Sequence, residues 1–141
     1  MCLNVVKEKG VVYEQDTNVY GVYRKDDLNR TSIRESHICE GVNTVPLRLR
    51  KEIRCYDENR TYRAGYHRFL SLKDARAFVK DYQYVGFENL VIVKDIIPKG
   101  TVVTIGEQII LKKGLIVSGY KRVNLTVYVS PTIIHTDKIV K

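Results

Sequence analysis

Short runs of β-branched and aromatic residues, broken by polar clusters, dominate the chain and predict strands. Val11-Val12-Tyr13 and Val19–Tyr23 are two such runs, separated by the polar Glu14–Asn18. The polar stretch Lys25–Glu40 has no sustained periodicity and reads as a long loop with at most one helical turn. From Val45 the pattern alternates: Leu47 and Leu49 against Arg48 and Arg50, then Ile53 and Cys55 around Arg54. The break in phase at Lys51-Glu52 predicts a bulge or turn between two short strands, with several arginines on one exposed sheet face.

The clearest helix begins at Ser71, a good N-cap, with Asp74 three residues on to complete a capping box. Leu72, Ala75, Phe78 or Val79, and Tyr82 fall at helical spacing, and Gly86 marks where the segment has ended. Leu90–Val93 is apolar on both faces, which predicts a central strand. Ile97-Pro98-Lys99-Gly100 predicts a tight turn into Val102–Ile105, then Gln108–Leu111, a turn at Lys112-Lys113-Gly114, and Leu115–Val117. Val123–Val129 alternates like a half-exposed strand suited to a sheet edge. The expectation is one domain over residues 1–141 of class α+β. In it a mostly antiparallel sheet, split or barrel-like, carries one main helix at about 71–82, and a strand–helix–strand unit spans Gly65–Ile97.

A chain of 141 residues buries roughly two-thirds of its unfolded surface, enough for a real core. Apolar runs such as Leu90–Val93 and Ile109–Leu111 fall far short of the ~20 residues that cross a bilayer. The first nine residues show no basic leader followed by an apolar stretch, so no signal peptide is expected and the expected setting is inside the cell. Cys2, Cys39 and Cys55 are then expected as reduced thiols, and the Asn-x-Thr triplets at Asn29, Asn59 and Asn124 as unmodified. Net charge is +8, and Thr44–Arg76 alone carries nine basic against four acidic residues, or +5. Such a field attracts nucleotides, nucleic acids or acidic protein surfaces, and the plain alternative is a solvated face.

No phosphate-binding loop, dinucleotide glycine pattern, nucleophile elbow or His-Glu-x-x-His helix is present, so no cofactor and no catalytic residue is assigned. His37-x-Cys39 with Cys55 offers three zinc ligands but not the paired short spacing of structural zinc, and no metal is expected. The segment Tyr56–Phe69 gathers tyrosines, arginines and His67. In a strand, Tyr66 and Arg68 face one way and His67 and Phe69 the other. Arginine supplies a planar fork for phosphates and tyrosine a stacking face, which makes Arg54, Tyr62, Arg63, Tyr66, His67 and Arg68 the candidate ligand-binding residues. The plain alternative is that Phe69 and one tyrosine fill the core beneath the Ser71 helix. Ten tyrosines interleaved with arginine also suit single-stranded nucleic acid or a protein surface.

Several features occur in a characteristic order: Met1-Cys2-Leu3, Tyr20-Gly21-Val22-Tyr23, Tyr62-x-x-Gly65-Tyr66-His67-x-Phe69, the Ser71 helix with Asp74-Ala75, Leu90–Lys94, Pro98-x-Gly100 and Gly106. In this the chain resembles small uncharacterised accessory proteins of bacteriophages and prophages, which more often carry Phe at the place of Tyr66. The resemblance implies an accessory, anti-defence type of role in the bacterial cytoplasm. With the Tyr/Arg/His cluster it leads to the expectation of a non-catalytic protein that sequesters an anionic, nucleotide-like ligand, in a monomer or homo-oligomer. One alternative is an inhibitor that binds a host protein or nucleic-acid complex through the basic surface. A second is an ADP-ribosyltransferase-like enzyme, a looser similarity. It would use His67 or His135 as acid–base with Glu88 or Glu107, although the Arg/His, Ser/Thr and Glu signature of that fold cannot be assembled in order.

Overall fold

Eleven strands and one α-helix make up the computed structural model, which describes residues 3–31, 38–84, 89–113 and 120–140. The strands are β1 (Val5–Val12), β2 (Thr17–Arg24), β3 (Asp27–Thr31), β4 (Gly41–Thr44), β5 (Glu52–Arg54) and β6 (Thr61–Arg63). After them come β7 (Tyr66–Phe69), α1 (Leu72–Tyr84), β8 (Leu90–Ile97), β9 (Val102–Lys113), β10 (Tyr120–Ser130) and β11 (Thr132–Val140). One sheet runs β1-β9-β10-β7-β2-β8-β11-β4, with β3 added beside β2, and β5-β6 forms a separate hairpin. Every pairing is antiparallel. The class is therefore α+β as expected, but the sheet is open: β1 and β4 end the path, so no barrel closes.

The strand–helix–strand unit forms as β7, α1 and β8. Both strands run antiparallel to β2 and hence parallel to each other, with β2 inserted between them. The helix starts where the cap predicts: Asp74 N donates to Ser71 Oγ at 3.1 Å and Ala75 N to Ser71 O at 3.2 Å. The Asp74 carboxylate does not close a capping box. It turns to the sheet and accepts from Thr126 N of β10 at 3.0 Å. Ala75 and Phe78 on the apolar stripe are buried, and the Phe78 ring meets Phe69 with centroids 5.1 Å apart. Gly86 lies outside the described residues. Strand β8 is central, as its two apolar faces require, and Pro98–Thr101 turns tightly with Thr101 N on Pro98 O and Gly100 at φ +81°.

Four expectations are corrected. Asp27–Thr31, read as loop, is β3, because backbone pairing along β2 (Tyr23↔Thr31, Arg24↔Asp27) needs no apolar alternation. Leu47–Leu49 is a 3-10 turn and not a strand: Leu49 N and Arg50 N bond back to Pro46 O and Leu47 O, leaving Leu47 83% exposed. The separate runs Val102–Ile105 and Gln108–Leu111 are one strand, β9, paired with β1 and β10 along both edges. Val123–Val129 lies within β10, flanked by β9 and β7, so it is interior; alternation reports which face is buried and is silent on edges. The predicted run Leu115–Val117 lies outside the described residues.

The sheet buries both faces. On one, Val22, Phe69, Ile92, Leu125 and Val127 pack beneath α1 and beneath Tyr62 and Cys55 of the hairpin segment. On the other, Val19, Tyr23, Tyr66, Val93, Tyr128 and Ile133 form a second cluster with Ile38. Among the described residues no helix is long and apolar enough to cross a membrane. The cap on α1 gives a direct check: Ser71→Ala removes the side-chain acceptor for Asp74 N and should lower stability by about 1 kcal/mol in urea denaturation. An unchanged midpoint would mean that the tie from Asp74 to Thr126 alone holds the start of the helix.

Candidate functional site

The β5–β6 hairpin is the outer wall of the site. Its register, Glu52↔Arg63, Ile53↔Tyr62 and Arg54↔Thr61, points Ile53 and Tyr62 inward and leaves Glu52, Arg54, Thr61 and Arg63 exposed. The hairpin loop is tied to the start of the chain. Tyr56 N donates to Leu3 O (3.1 Å), Asp57 N to Asn4 O (3.0 Å), Val6 N to Glu58 Oε1 (2.7 Å) and Arg60 to Val6 O (3.2 Å). On the other side, Val45 N donates to Pro131 O at 2.9 Å, which brings the 3-10 turn beside the β10–β11 corner. Ala64 N donates to Lys51 O at 2.8 Å and closes the open end of the hairpin.

Between the hairpin and the sheet these ties leave an open groove of about 630 Å³. That volume suits a small-molecule ligand. Lys9 of β1, Arg50 and Arg63 line it, against a single carboxylate, Glu52. Hydroxyls come from Thr101, Thr104 and Thr132, and Val102 and Pro131 add small apolar surface. Arg50 Nε donates to Ala64 O at 3.4 Å, which holds the guanidinium at the wall. Arg63 Nε lies 3.7 Å from Glu52 Oε1 with both side chains more than half exposed, a pairing worth little in water.

Tyr62 closes the inner wall, and its position follows from a hydrogen-bond chain. Leu3 N donates to Tyr62 Oη at 2.9 Å, and Tyr62 Oη lies 3.3 Å from His67 Nε2. His67 Nδ1 is 3.2 Å from the Gly65 carbonyl, so Nδ1 carries the proton and Nε2 accepts from tyrosine. Burial, with the neighbouring Arg68 charge, pushes the His67 pKa down to about 3, which keeps the ring neutral in that acceptor role.

On the opposite face of the sheet lies a buried ion network centred on Asp95 of β8. Arg68 Nε donates to Asp95 Oδ2 at 2.9 Å, Tyr23 Oη donates to the same oxygen, and His135 Nδ1 lies 2.8 Å from Oδ1. Arg68 Nη2 donates to Tyr23 Oη at 2.8 Å and Nη1 to the His67 carbonyl at 2.6 Å. The guanidinium sits over the Tyr23 and Tyr66 rings at 5.3 and 5.7 Å. A bulge in β11 between His135 and Lys138, with Asp137 at φ 58°, brings Asp137 Oδ1 to 2.6 Å from His135 Nε2. Burial opposes ionisation of Asp95, but the His135, Arg68 and Tyr23 donors outweigh it and hold the carboxyl below its ordinary range. Burial likewise opposes protonation of His135, and Asp95, aided by Asp137, outweighs it and raises that pKa.

Gly21 makes this network possible. Arg68 on β7 must cross β2 to reach Asp95 on β8, and Gly21 is where it crosses. A Cβ there would lie 2.5 Å from Tyr23 Cε1 and 2.9 Å from Arg68 Nε.

Of the six residues predicted for the site, Tyr62 and Arg63 line the groove and His67 supports Tyr62 from behind. Arg54 stands on the outer face of the hairpin, and Tyr66 and Arg68 are buried in the second cluster and its ion network. The alternation predicted for Tyr66–Phe69 holds, and it separates these residues instead of gathering them. Lys9, Thr101, Thr104 and Thr132 carry no motif that would single them out. Of the acid–base candidates, His135 is 1% exposed, Glu107 pairs with Lys7 at 2.7 Å, and Glu88 lies outside the described residues. His37 also lies outside them; among the described residues no His, Cys, Asp and Glu cluster of three or more could hold a metal ion. Comparison with family models, curated proteins and solved structures gives no match to this chain.

Two outcomes follow from the ion network. Gly21→Ala should lose stability toward the upper end of about 1–3 kcal/mol in urea denaturation, because neither Tyr23 nor Arg68 can move without breaking its bond to Asp95. Protonated His135 contributes stability that is full below its unfolded value of 6.5 and is lost as pH rises through its higher folded value. The urea midpoint of the wild type should therefore fall as pH rises from 6.5 through that higher value, and His135→Asn should flatten the decline. Parallel curves for the two proteins would show that the imidazole is uncoupled from folding.

Proposed function

We propose that this chain is a non-catalytic binding protein that holds an anionic, nucleotide-sized ligand in the groove between the β5–β6 hairpin and the sheet. The observation that carries the reading is the lining itself: Lys9, Arg50 and Arg63 against Glu52 alone, with three threonine hydroxyls, around about 630 Å³. Cations and hydroxyls are donors to an anion. The net charge of +8 adds a long-range field that draws anions toward the site. An accessory factor that sequesters a signalling nucleotide would use a site of this kind.

A second reading, docking of an acidic partner protein on the basic surface, draws on the 3-10 turn. There Leu47 is 83% and Leu49 44% exposed, beside Arg48 and Arg50. An apolar tip with two adjoining arginines has the make-up of an interface anchor.

The test is a nucleotide panel read by thermal shift, with native mass spectrometry of the protein as purified. The chain has no tryptophan, so a co-purifying base raises absorbance at 260 nm conspicuously. At least one nucleotide should raise the melting temperature, and Arg50→Gln should weaken its binding by on the order of tenfold, the loss of one charged hydrogen bond. If nothing co-purifies and no nucleotide moves the melting temperature, the groove is not a nucleotide site. A salt-sensitive protein partner lost with Leu47→Asp would then favour the second reading.

A further inference from the structure

We infer that the groove recognises its ligand through a chain of phosphates and leaves the base unread, so that the recognised group is a polyphosphate. The inference rests on the proposed ligand-binding reading and narrows it.

A site that reads a base needs an aromatic face to stack on or a fixed pattern of donors and acceptors matching the base edge. Among the described residues the groove offers no such aromatic face, and its polar side chains are cations, hydroxyls and one carboxylate. The one aromatic residue among its described lining, Tyr62, is 1% exposed, and its hydroxyl is committed to Leu3 N and His67 Nε2. The ring therefore offers no face and its tip no spare donor. Tyr56, the exposed tyrosine of this region at 69%, sits at the far end of the hairpin. It lies four positions after Glu52, beyond the end of β5.

Phosphate chemistry, in contrast, is supplied from three directions. Lys9 enters from β1, Arg50 from the end of the 3-10 turn and Arg63 from β6. Cations carried on three separate segments around an open groove can each serve one unit of a chain. The arginines add forks that match two oxygens at once, and lysine adds a point charge. The threonine hydroxyls can donate to the remaining oxygens. Glu52 opposes this only weakly, since its exposed pairing with Arg63 at 3.7 Å yields readily to a dianion.

The experiment is calorimetric titration of the full chain with AMP, ADP, ATP, GTP, adenosine and inorganic tripolyphosphate. Affinity should climb on the order of tenfold with each added phosphate. ATP and GTP should agree within about threefold, tripolyphosphate should displace ATP, and adenosine should not. Arg63→Gln, on an exposed hairpin position that leaves the fold intact, should weaken ATP and tripolyphosphate by the same factor. If ATP binds but adenosine competes with it, AMP matches it, or tripolyphosphate fails to displace it, the base is read and the inference is wrong while the ligand-binding reading stands. If none of the six compounds binds, both fall together. Tripolyphosphate binding far more tightly than either triphosphate would identify inorganic polyphosphate, and not a nucleotide, as the source of the recognised group.

Discussion

A carboxylate in a protein core stays ionised only if donors replace the water it has lost, and Asp95 sets that condition for the whole sheet. Its donors arrive from Tyr23 on β2, Arg68 on β7 and His135 on β11. Together with β8 itself these are four consecutive strands, β7-β2-β8-β11. A slip of one residue in any of them would turn its group to the opposite face, so the network fixes register as well as contributing energy. The apolar residues around it could pack in more than one register. The Asp95 carboxylate with its donors cannot.

What happens on one face then dictates the other. With Tyr66 and Arg68 held in the second cluster, alternation along β7 must send His67 and Phe69 toward the helix. Phe69 meets Phe78 of α1, and His67 becomes the acceptor for Tyr62. Tyr62 in turn receives Leu3 N, and the hairpin loop bonds the same chain segment through Tyr56, Asp57 and Glu58. The hairpin is thus positioned at two points, through Tyr62 by a group whose place descends from the buried ion pair and through its loop by the start of β1 on β9. The groove is the space that this positioning leaves open.

Those parts of the fold written in local chemistry were legible in the sequence. The Ser71 cap, the stripe through Ala75 and Phe78, and the doubly apolar Leu90–Val93 each have a short-range cause, and the β7–α1–β8 unit formed where they placed it. Long-range facts were not. Arg68 and Asp95 are 27 positions apart, and their meeting depends on β2 being inserted between their strands with Gly21 at the crossing point. A glycine inside Val19–Tyr23 was the visible trace of that close approach, and nothing local said which side chain would use it. The groove was less legible still. Lys9, Thr101 and Thr132 lie on separate elements, and each alone reads as an ordinary surface residue.

The basic stretch Thr44–Arg76 shows why composition could suggest a charge-driven site without pointing to the groove proposed for it. Its arginines share a sequence neighbourhood but not an environment. Arg68 is neutralised within the core, Arg54 faces solvent on the outer side of the hairpin, and Arg50 and Arg63 reach the groove. Local charge of +5 therefore overstates what a ligand meets, since one cation is already matched by Asp95 and another faces away. Lys9, from outside the stretch, makes up part of the difference. What a ligand feels is decided by which guanidinium groups the fold leaves uncompensated. A buried pair such as Arg68–Asp95 is too costly to break, whereas the exposed Arg63–Glu52 contact at 3.7 Å can be exchanged for a stronger anion at almost no cost. Binding should fall to the arginines whose partners are weak, and those are the ones on the hairpin and its approach.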